Sequence, residues 1–299
     1  MAEARDALTH ARRVARGERV GREVAVLLCR LAQRQRDVQR EHPLREVVGR
    51  PPTLALVVGA DESAAAYGRQ IERQFTRRGL SVLPSAADPE NFTGHLRGLS
   101  ADPLVDGILL LTPLPPGVDA RDAALAIAPD KDVDGQHPLN LGRLGQRRPA
   151  FAPATALGGL RLLKHYGIEL RGARVVVVGR SPVVGMPLAL LLIDADATVT
   201  VCHSRTRDLA EVTRSADVLC VAIGRAGLVG PEHVRPGAIV VDFGTNPSPG
   251  GSLVGDVQTA AVQDVTSAIT PVPGGTGPTT VAVLAEQTWR AAEIGRGLR

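Results

Sequence analysis

Arg174–Val178 (RVVVV) runs straight into Gly179-Arg180-Ser181-Pro182-Val183-Val184-Gly185, and a helical pattern opened by Pro187 follows. An unbroken β-branched run predicts a strand covered on both faces, as in a parallel sheet. The glycine after it permits a tight turn into a helix whose N-terminus carries amide donors and positive dipole. Thr198–Cys202 predicts a second strand, ending in CHSRTR, and further strands are expected at Val218–Ile223 and Ala238–Phe243. Strand, glycine turn, helix, strand is the layout of a dinucleotide-binding fold, with ligand groups gathered at strand C-termini. The turn reads GxSxxxG rather than GxGxxG, so its position in the pattern carries more weight than its letters.

The region before it repeats the alternation. Strands are expected at Thr53–Val58, near Leu80–Leu83 and at Ile108–Leu111, with a helix at about Ser63–Arg78 and another at Thr155–Tyr166. The Arg-rich first fifty residues have apolar positions at Val20, Val24, Leu27, Leu28 and Leu31, a helical pattern. A turn is expected at Pro113–Gly117 and a polar loop at Lys131–Asn140 (KDVDGQHPLN). Short apolar strands alternating with helices give an α/β fold, and 299 residues suit about two domains.

Composition removes several classes of function. Only seven residues are Phe, Trp or Tyr and the +4 charge is spread along the chain, so a nucleic-acid platform is not expected. No apolar run reaches the ~18–20 residues of a membrane span, and the N-terminus lacks a signal-peptide core. Cys29, Cys202 and Cys220 form neither a disulfide framework nor a metal-ligand spacing. A reduced, cytoplasmic enzyme without structural metal is the expectation.

The end of the second Rossmann strand bears on the cofactor. A NAD site usually places an acid there for the ribose 2′-hydroxyl. Here the residues are His203-Ser204-Arg205-Thr206-Arg207, with acid returning only at Asp208. A hydroxyl among guanidinium groups suits a 2′-phosphate, which favours NADP. Near the C-terminus, Pro271–Thr280 (PVPGGTGPTT) holds three prolines and three glycines before an apolar helical pattern. Such a loop is a rigid backbone surface that a flat ligand can approach closely, and Pro278 suits the first turn of the helix.

Together PVPGGTGP at Pro271–Pro278, KDVDGQHPLNLGRL at Lys131–Leu144, GRSPVVGMP at Gly179–Pro187 and DFGTN at Asp242–Asn246 resemble the methylenetetrahydrofolate dehydrogenase/cyclohydrolase (FolD-type) family. The resemblance covers about residues 53–290 and is weak over the first fifty. It implies two α/β domains with a cleft between them. Residues 1–150, completed by a C-terminal helix over 280–299, would form the folate-binding catalytic domain, and residues 151–279 a Rossmann-like NADP-binding domain. The family is usually homodimeric; it oxidises 5,10-methylenetetrahydrofolate to the methenyl cation and hydrolyses that to 10-formyltetrahydrofolate. The resemblance assigns Tyr67 to stacking on the folate and Asp134 to holding the pterin, with Pro271, Pro273, Gly274 and Gly275 walling the folate site. Gly179, Arg180, Ser181, Gly185, Ser204, Arg205 and Thr245 would contact NADP.

The chain departs from the family where its chemistry is concentrated. The family's catalytic lysine lies four residues after the stacking tyrosine, and here that position is Ile71. Residues four apart share a helical face, whereas Arg69 and Arg73 point elsewhere. The family glutamine that orients the lysine is replaced by Leu111 in Leu111-Thr112-Pro113-Leu114-Pro115, and a serine usual before the tyrosine by Ala64. Losing one polar partner would strand the other at a cost of ~1–3 kcal/mol, whereas losing both leaves a compatible apolar patch. Hydride departure needs alignment and nearby negative potential, which Asp134 and the cofactor motifs can supply. Hydrolysis of the methenyl cation needs a proton shuttle, general acid–base work worth about 10²–10⁴-fold, and neither Ile71 nor Leu111 can move a proton. The expectation is an NADP-dependent dehydrogenase with weak or absent cyclohydrolase. A bifunctional enzyme using Gln70 or Thr112 instead, an enzyme redirected to another folate or pterin, and a non-catalytic folate/NADP-binding protein are the alternatives.

Overall fold

The computed structural model describes residues 49–58, 62–248 and 250–298, with the side chains of 62–66 excepted. The helical pattern of the first fifty residues and the Ala64 side chain lie outside what it describes. The described residues divide into two units, one of residues 155–280, the other of residues 49–154 together with 281–298.

The second of these holds a three-stranded parallel sheet. Its first strand, β1, is Thr53–Val58, followed by helix α1 at Glu62–Thr76 and strand β2 at Ser81–Ala86. Helix α2 at Phe92–Ala101 leads to β3 at Gly107–Leu110, then come α3 at Ala120–Leu125 and α4 at Pro138–Gly145. The strand order is β2-β1-β3, with Leu54 opposite Val82 on one side and Gly107 on the other. β2 runs past the expected Leu83 to Ala86 because it is an edge strand, where the missing N–H of Pro84 costs no ladder bond. α4 begins inside the segment expected to be a polar loop, with Pro138 at its first turn and His137 as its cap, whose Nδ1 accepts from the Leu139 amide at 3.0 Å. Ala55, Val57, Phe92, Leu96, Ile108, Leu110 and Ile127 form the buried core on one face of this sheet.

Residues 155–280 carry the second sheet. Helix α5 (Ala154–His165) precedes strand β4 (Arg174–Val178), helix α6 (Gly185–Asp194), strand β5 (Thr198–Cys202), helix α7 (Leu209–Arg214) and strand β6 (Val218–Val221). Then come β7 (Ile239–Asp242), the short pair β8 (Asn246–Pro247) and β9 (Leu253–Val254), α8 (Thr259–Val262), β10 (Ala268–Ile269) and α9 (Thr276–Gly295). The five-stranded sheet is parallel throughout in the order β10-β7-β6-β4-β5. Four successive valines, Val175–Val178, are buried on both faces, as their unbroken apolar run requires. The order of the strands reverses at β4, with β5 added on one side of it and β6 on the other, which makes the Rossmann-like switch point, with all strand C-termini on one edge. α6 starts at Gly185, two residues before the expected Pro187, with the turn before it tied to Ser181: its Oγ accepts from the Val184 amide at 3.1 Å and its carbonyl from the Met186 amide at 3.1 Å.

Candidate active site

On the unit containing β1–β3, the side chains singled out for folate chemistry come from α1, the end of β3 and the loop after α3. Ile71 and Leu111 are both buried, at 0% and 4% exposure. A Cβ on Gly68, one turn before Ile71 on α1, would sit 3.2 Å from Leu111 Cδ1 and 3.3 Å from Leu56 Cδ2. Leu111 therefore lies against the helix face that Ile71 continues, and that face is aliphatic. Arg69 and Arg73 are exposed, as their places on the helix require, and Gln70 and Thr112 are exposed too. Lys131, the one lysine among this unit's described residues, offers no substitute ammonium at this face, since its Nζ donates to the Asp102 carbonyl at 2.7 Å.

Asp134 is held by the backbone around it. Ile108 of β3 bridges Asp132, with the Ile108 amide donating to the Lys131 carbonyl at 2.7 Å. Asp132 in turn ties down the next turn, accepting from the amides of Gln136 (3.1 Å) and His137 (2.8 Å) and from Asn140 Nδ2 (2.9 Å). Gly135, at φ +62°, fits where any Cβ would meet the backbone of Phe151–Pro153 at 2.5–2.6 Å. That close approach lets the Ala154 amide donate to Asp134 Oδ1 at 3.0 Å, while Gln136 Nε2 donates to Oδ2 at 2.6 Å. From α9, buried Gln287 donates to the carbonyls of Val133 (2.6 Å) and Ala152 (3.0 Å) and accepts from the Ala152 amide (3.1 Å), fastening both sides of the Asp134 turn. Gln136 lies inside the KDVDGQHPLNLGRL segment without having been singled out, and Gln287 carries no periodicity or motif signal.

Burial pushes the Asp134 carboxyl up to about 6, against the pull of Gln136 and the Ala154 amide. Tyr67 lies in the second turn of α1, with 37% of its surface open. Desolvation first, then the Asp134 charge, pushes its phenol up to about 12. The phenol is therefore neutral across the physiological range, a flat ring with a donor rather than an anion, electrostatically linked to Asp134. A partly exposed aromatic ring electrostatically linked to a carboxylate suits a planar, amine-bearing heterocycle.

On residues 155–280 the cofactor candidates gather at the C-terminal edge of the parallel sheet. Gly179 (φ +122°) has no room for a Cβ beside the Ala222 carbonyl, nor Gly185 beside the Gly179 carbonyl. Ser181 Oγ accepts from the Val184 amide in the turn before α6 and keeps its hydroxyl proton to donate. After β5, the His203 amide donates to Thr206 Oγ1 (2.9 Å) and the Arg205 amide to His203 Nδ1 (3.2 Å). This knot leaves Ser204, Arg205 and Arg207 exposed, and Arg180 and Thr245 are exposed as well. The donor set fits a phosphorylated dinucleotide: a glycine turn at a helix N-terminus, with a hydroxyl and guanidinium groups after the second strand. Pro271, Pro273, Gly274 and Gly275 belong to this same unit. Gly275 is required there, since a Cβ would sit 2.5 Å from the Pro271 carbonyl, and Gly274 has φ +102°. Among the described residues no cluster of His, Cys, Asp or Glu is arranged to hold a metal ion.

Residues 27–134 match the catalytic domain of tetrahydrofolate dehydrogenase/cyclohydrolase, and residues 153–296 match its NAD(P)-binding domain. The chain belongs to the tetrahydrofolate dehydrogenase/cyclohydrolase family. Relatives in it include the bifunctional protein FolD of Chloroflexus aurantiacus, 50% identical over 246 residues that cover 81% of this chain and 86% of that protein. The bifunctional protein FolD of Parafrankia is 52% identical over 247 residues, covering 82% and 90%. Among solved structures, the FolD dehydrogenase/cyclohydrolase of Campylobacter jejuni superimposes with a TM-score of 0.83 at 35% identity, over 90% of this chain and 97% of that one. The Trypanosoma brucei FolD, complexed with NADP cofactor and inhibitor, does so with a TM-score of 0.80 at 34% identity, over 93% and 97%. The two-domain, Rossmann-like α/β class expected from sequence is that of the family.

Proposed function

We propose that this protein oxidises 5,10-methylenetetrahydrofolate to the 5,10-methenyl cation with NADP, and that its cyclohydrolase activity is weak or lost. The observation carrying the second half is the complete burial of Ile71 against an aliphatic surface that includes Leu111, at positions where the family resemblance expects a lysine and its glutamine. In this reading Tyr67 stacks on the folate and Asp134 holds the pterin and supplies negative potential as the cation develops. Pro271, Pro273, Gly274 and Gly275 present a flat backbone surface to the substrate. Gly179, Arg180, Ser181, Gly185, Ser204, Arg205 and Thr245 hold the cofactor. Bound NADP supplies the hydride acceptor. Nothing at Ile71 or Leu111 can take a proton from water, so the methenyl cation is released or hydrolysed at the rate set by solvent.

The alternative is the bifunctional activity named for the relatives, with 10-formyltetrahydrofolate as product; their names favour it. Following NADPH and the methenyl chromophore separately distinguishes the two, because only the first reading lets methenyl accumulate in step with NADPH. In either reading the enzyme acts in the cytoplasm as a homodimer, which sedimentation of the purified protein checks for its second half.

A further inference from the structure

Asp134 is a carboxylate whose ionisation depends on neutral dipoles. Each oxygen receives one N–H: Oδ1 from the Ala154 amide at 3.0 Å, Oδ2 from Gln136 Nε2 at 2.6 Å. The titratable groups that bear on it are Asp132, on its own loop, which opposes its charge, and the Tyr67 phenol on α1. Gln287, packed behind it from α9, is uncharged and bonds to backbone. The Gln136 contact is the shorter of the two and comes from a side chain fixed at its root, since the Gln136 amide is bound to Asp132 Oδ1 at 3.1 Å.

We propose that Gln136 is a positioning residue for the dehydrogenase: its amide holds Asp134 in the anionic form and in the rotamer that faces the developing folate cation. This rests on the reading of Asp134 given above. A protonated Asp134 would present a neutral group to a carbocation and lose the Coulombic part of its contribution. Burial alone drives Asp134 toward that neutral form, and even with both donors present it titrates at about 6. A hydrogen bond to a charged acceptor shifts such an equilibrium by about one to two pH units. Without the Gln136 donor, Asp134 would be largely protonated near neutrality.

The test uses the full chain with Gln136→Met, which keeps the length and loses the donor, and Gln136→Glu, which puts a second carboxyl beside the first. Carboxyl-¹³C aspartate labelling, assigned with Asp134→Asn, follows the Asp134 titration without ligand. The acid limb of NADPH formation is measured in parallel. The expected result is a midpoint raised by about one unit or more in Gln136→Met and further in Gln136→Glu, with the acid limb moving by the same amount and the alkaline plateau retained. A midpoint unchanged in both variants overturns the proposal, as does a fall in rate at every pH without movement of the limb, which is what a merely structural glutamine would give. If the parent forms no NADPH while the ¹³C midpoint still moves, the functional reading fails and the Gln136–Asp134 coupling stands.

Discussion

Reinstating the two polar residues at positions 71 and 111 should be worse singly than together. Ile71 is 0% exposed and Leu111 4%, so a lysine at 71 alone enters an aliphatic surface unpaired. An uncompensated buried charge costs about 3–5 kcal/mol, and the lysine will relieve part of it by deprotonating or reaching for solvent. A glutamine at 111 alone strands an amide at about 1–3 kcal/mol. With both present, the amide oxygen accepts from the ammonium, a bond to a charged group worth about 1.5–3 kcal/mol, so Ile71→Lys/Leu111→Gln should be more stable than the sum of the singles by that amount. Urea unfolding of the parent, both singles and the double gives this coupling directly. The same four proteins assayed for methenyl hydrolysis should show a gain of about 10²-fold or more in the double only. Additivity within about 0.5 kcal/mol, with no gain in hydrolysis, would refute the claim that the two positions form one functional pair.

Asp134→Asn should become more stable than the parent as pH rises. The folded pKa of Asp134 is raised from 3.8 to about 6, so the native state holds its proton more tightly than the unfolded chain, and burying the charge costs stability above that range. The difference between variant and parent should grow from about pH 4 to pH 6 and level off at roughly 2–3 kcal/mol, read by urea unfolding at pH 4 and pH 8. Asp106→Asn should cost about 3 kcal/mol in thermal or urea unfolding and leave the kinetics unchanged. Asp106, 4% exposed at its side chain, ties Arg50 (2.7 Å) and Arg296 (2.9 Å) to the Thr53 amide (2.8 Å), and none of these residues is assigned to the folate or cofactor site. Arg205→Ala should raise the KM for NADP by about 10-fold or more while leaving that for NAD nearly unchanged, if its guanidinium meets the 2′-phosphate.

Much of the fold could be read from local pattern, and the failures have identifiable causes. β1, β4 and β5 matched their expected bounds because each is a short apolar run with a sharp boundary. β6 was expected to reach Ile223 but ends at Val221. Beyond it the amides of Ile223, Gly224 and Arg225 turn onto the Asp256 carboxylate at 2.6–2.9 Å, a partner more than thirty residues away that no window around the strand contains. The segment 131–140 reads as polar loop because its order comes from Asp132 accepting three N–H donors, not from periodicity. In the candidate site, Tyr67, Ile71, Leu111 and Asp134 were singled out through the family resemblance. The residues that aim Asp134, Gln136 and Gln287, were not, because their role depends on which carbonyls and carboxylates the fold brings within 3 Å.

The most direct measurement is the product balance with 5,10-methylenetetrahydrofolate and NADP, recording NADPH and the methenyl chromophore separately and correcting for hydrolysis in buffer. A dehydrogenase that lost its proton shuttle at Ile71 gives one methenyl per NADPH, decaying no faster than in buffer. Methenyl consumed at a protein-dependent rate, with 10-formyltetrahydrofolate matching NADPH, would contradict it.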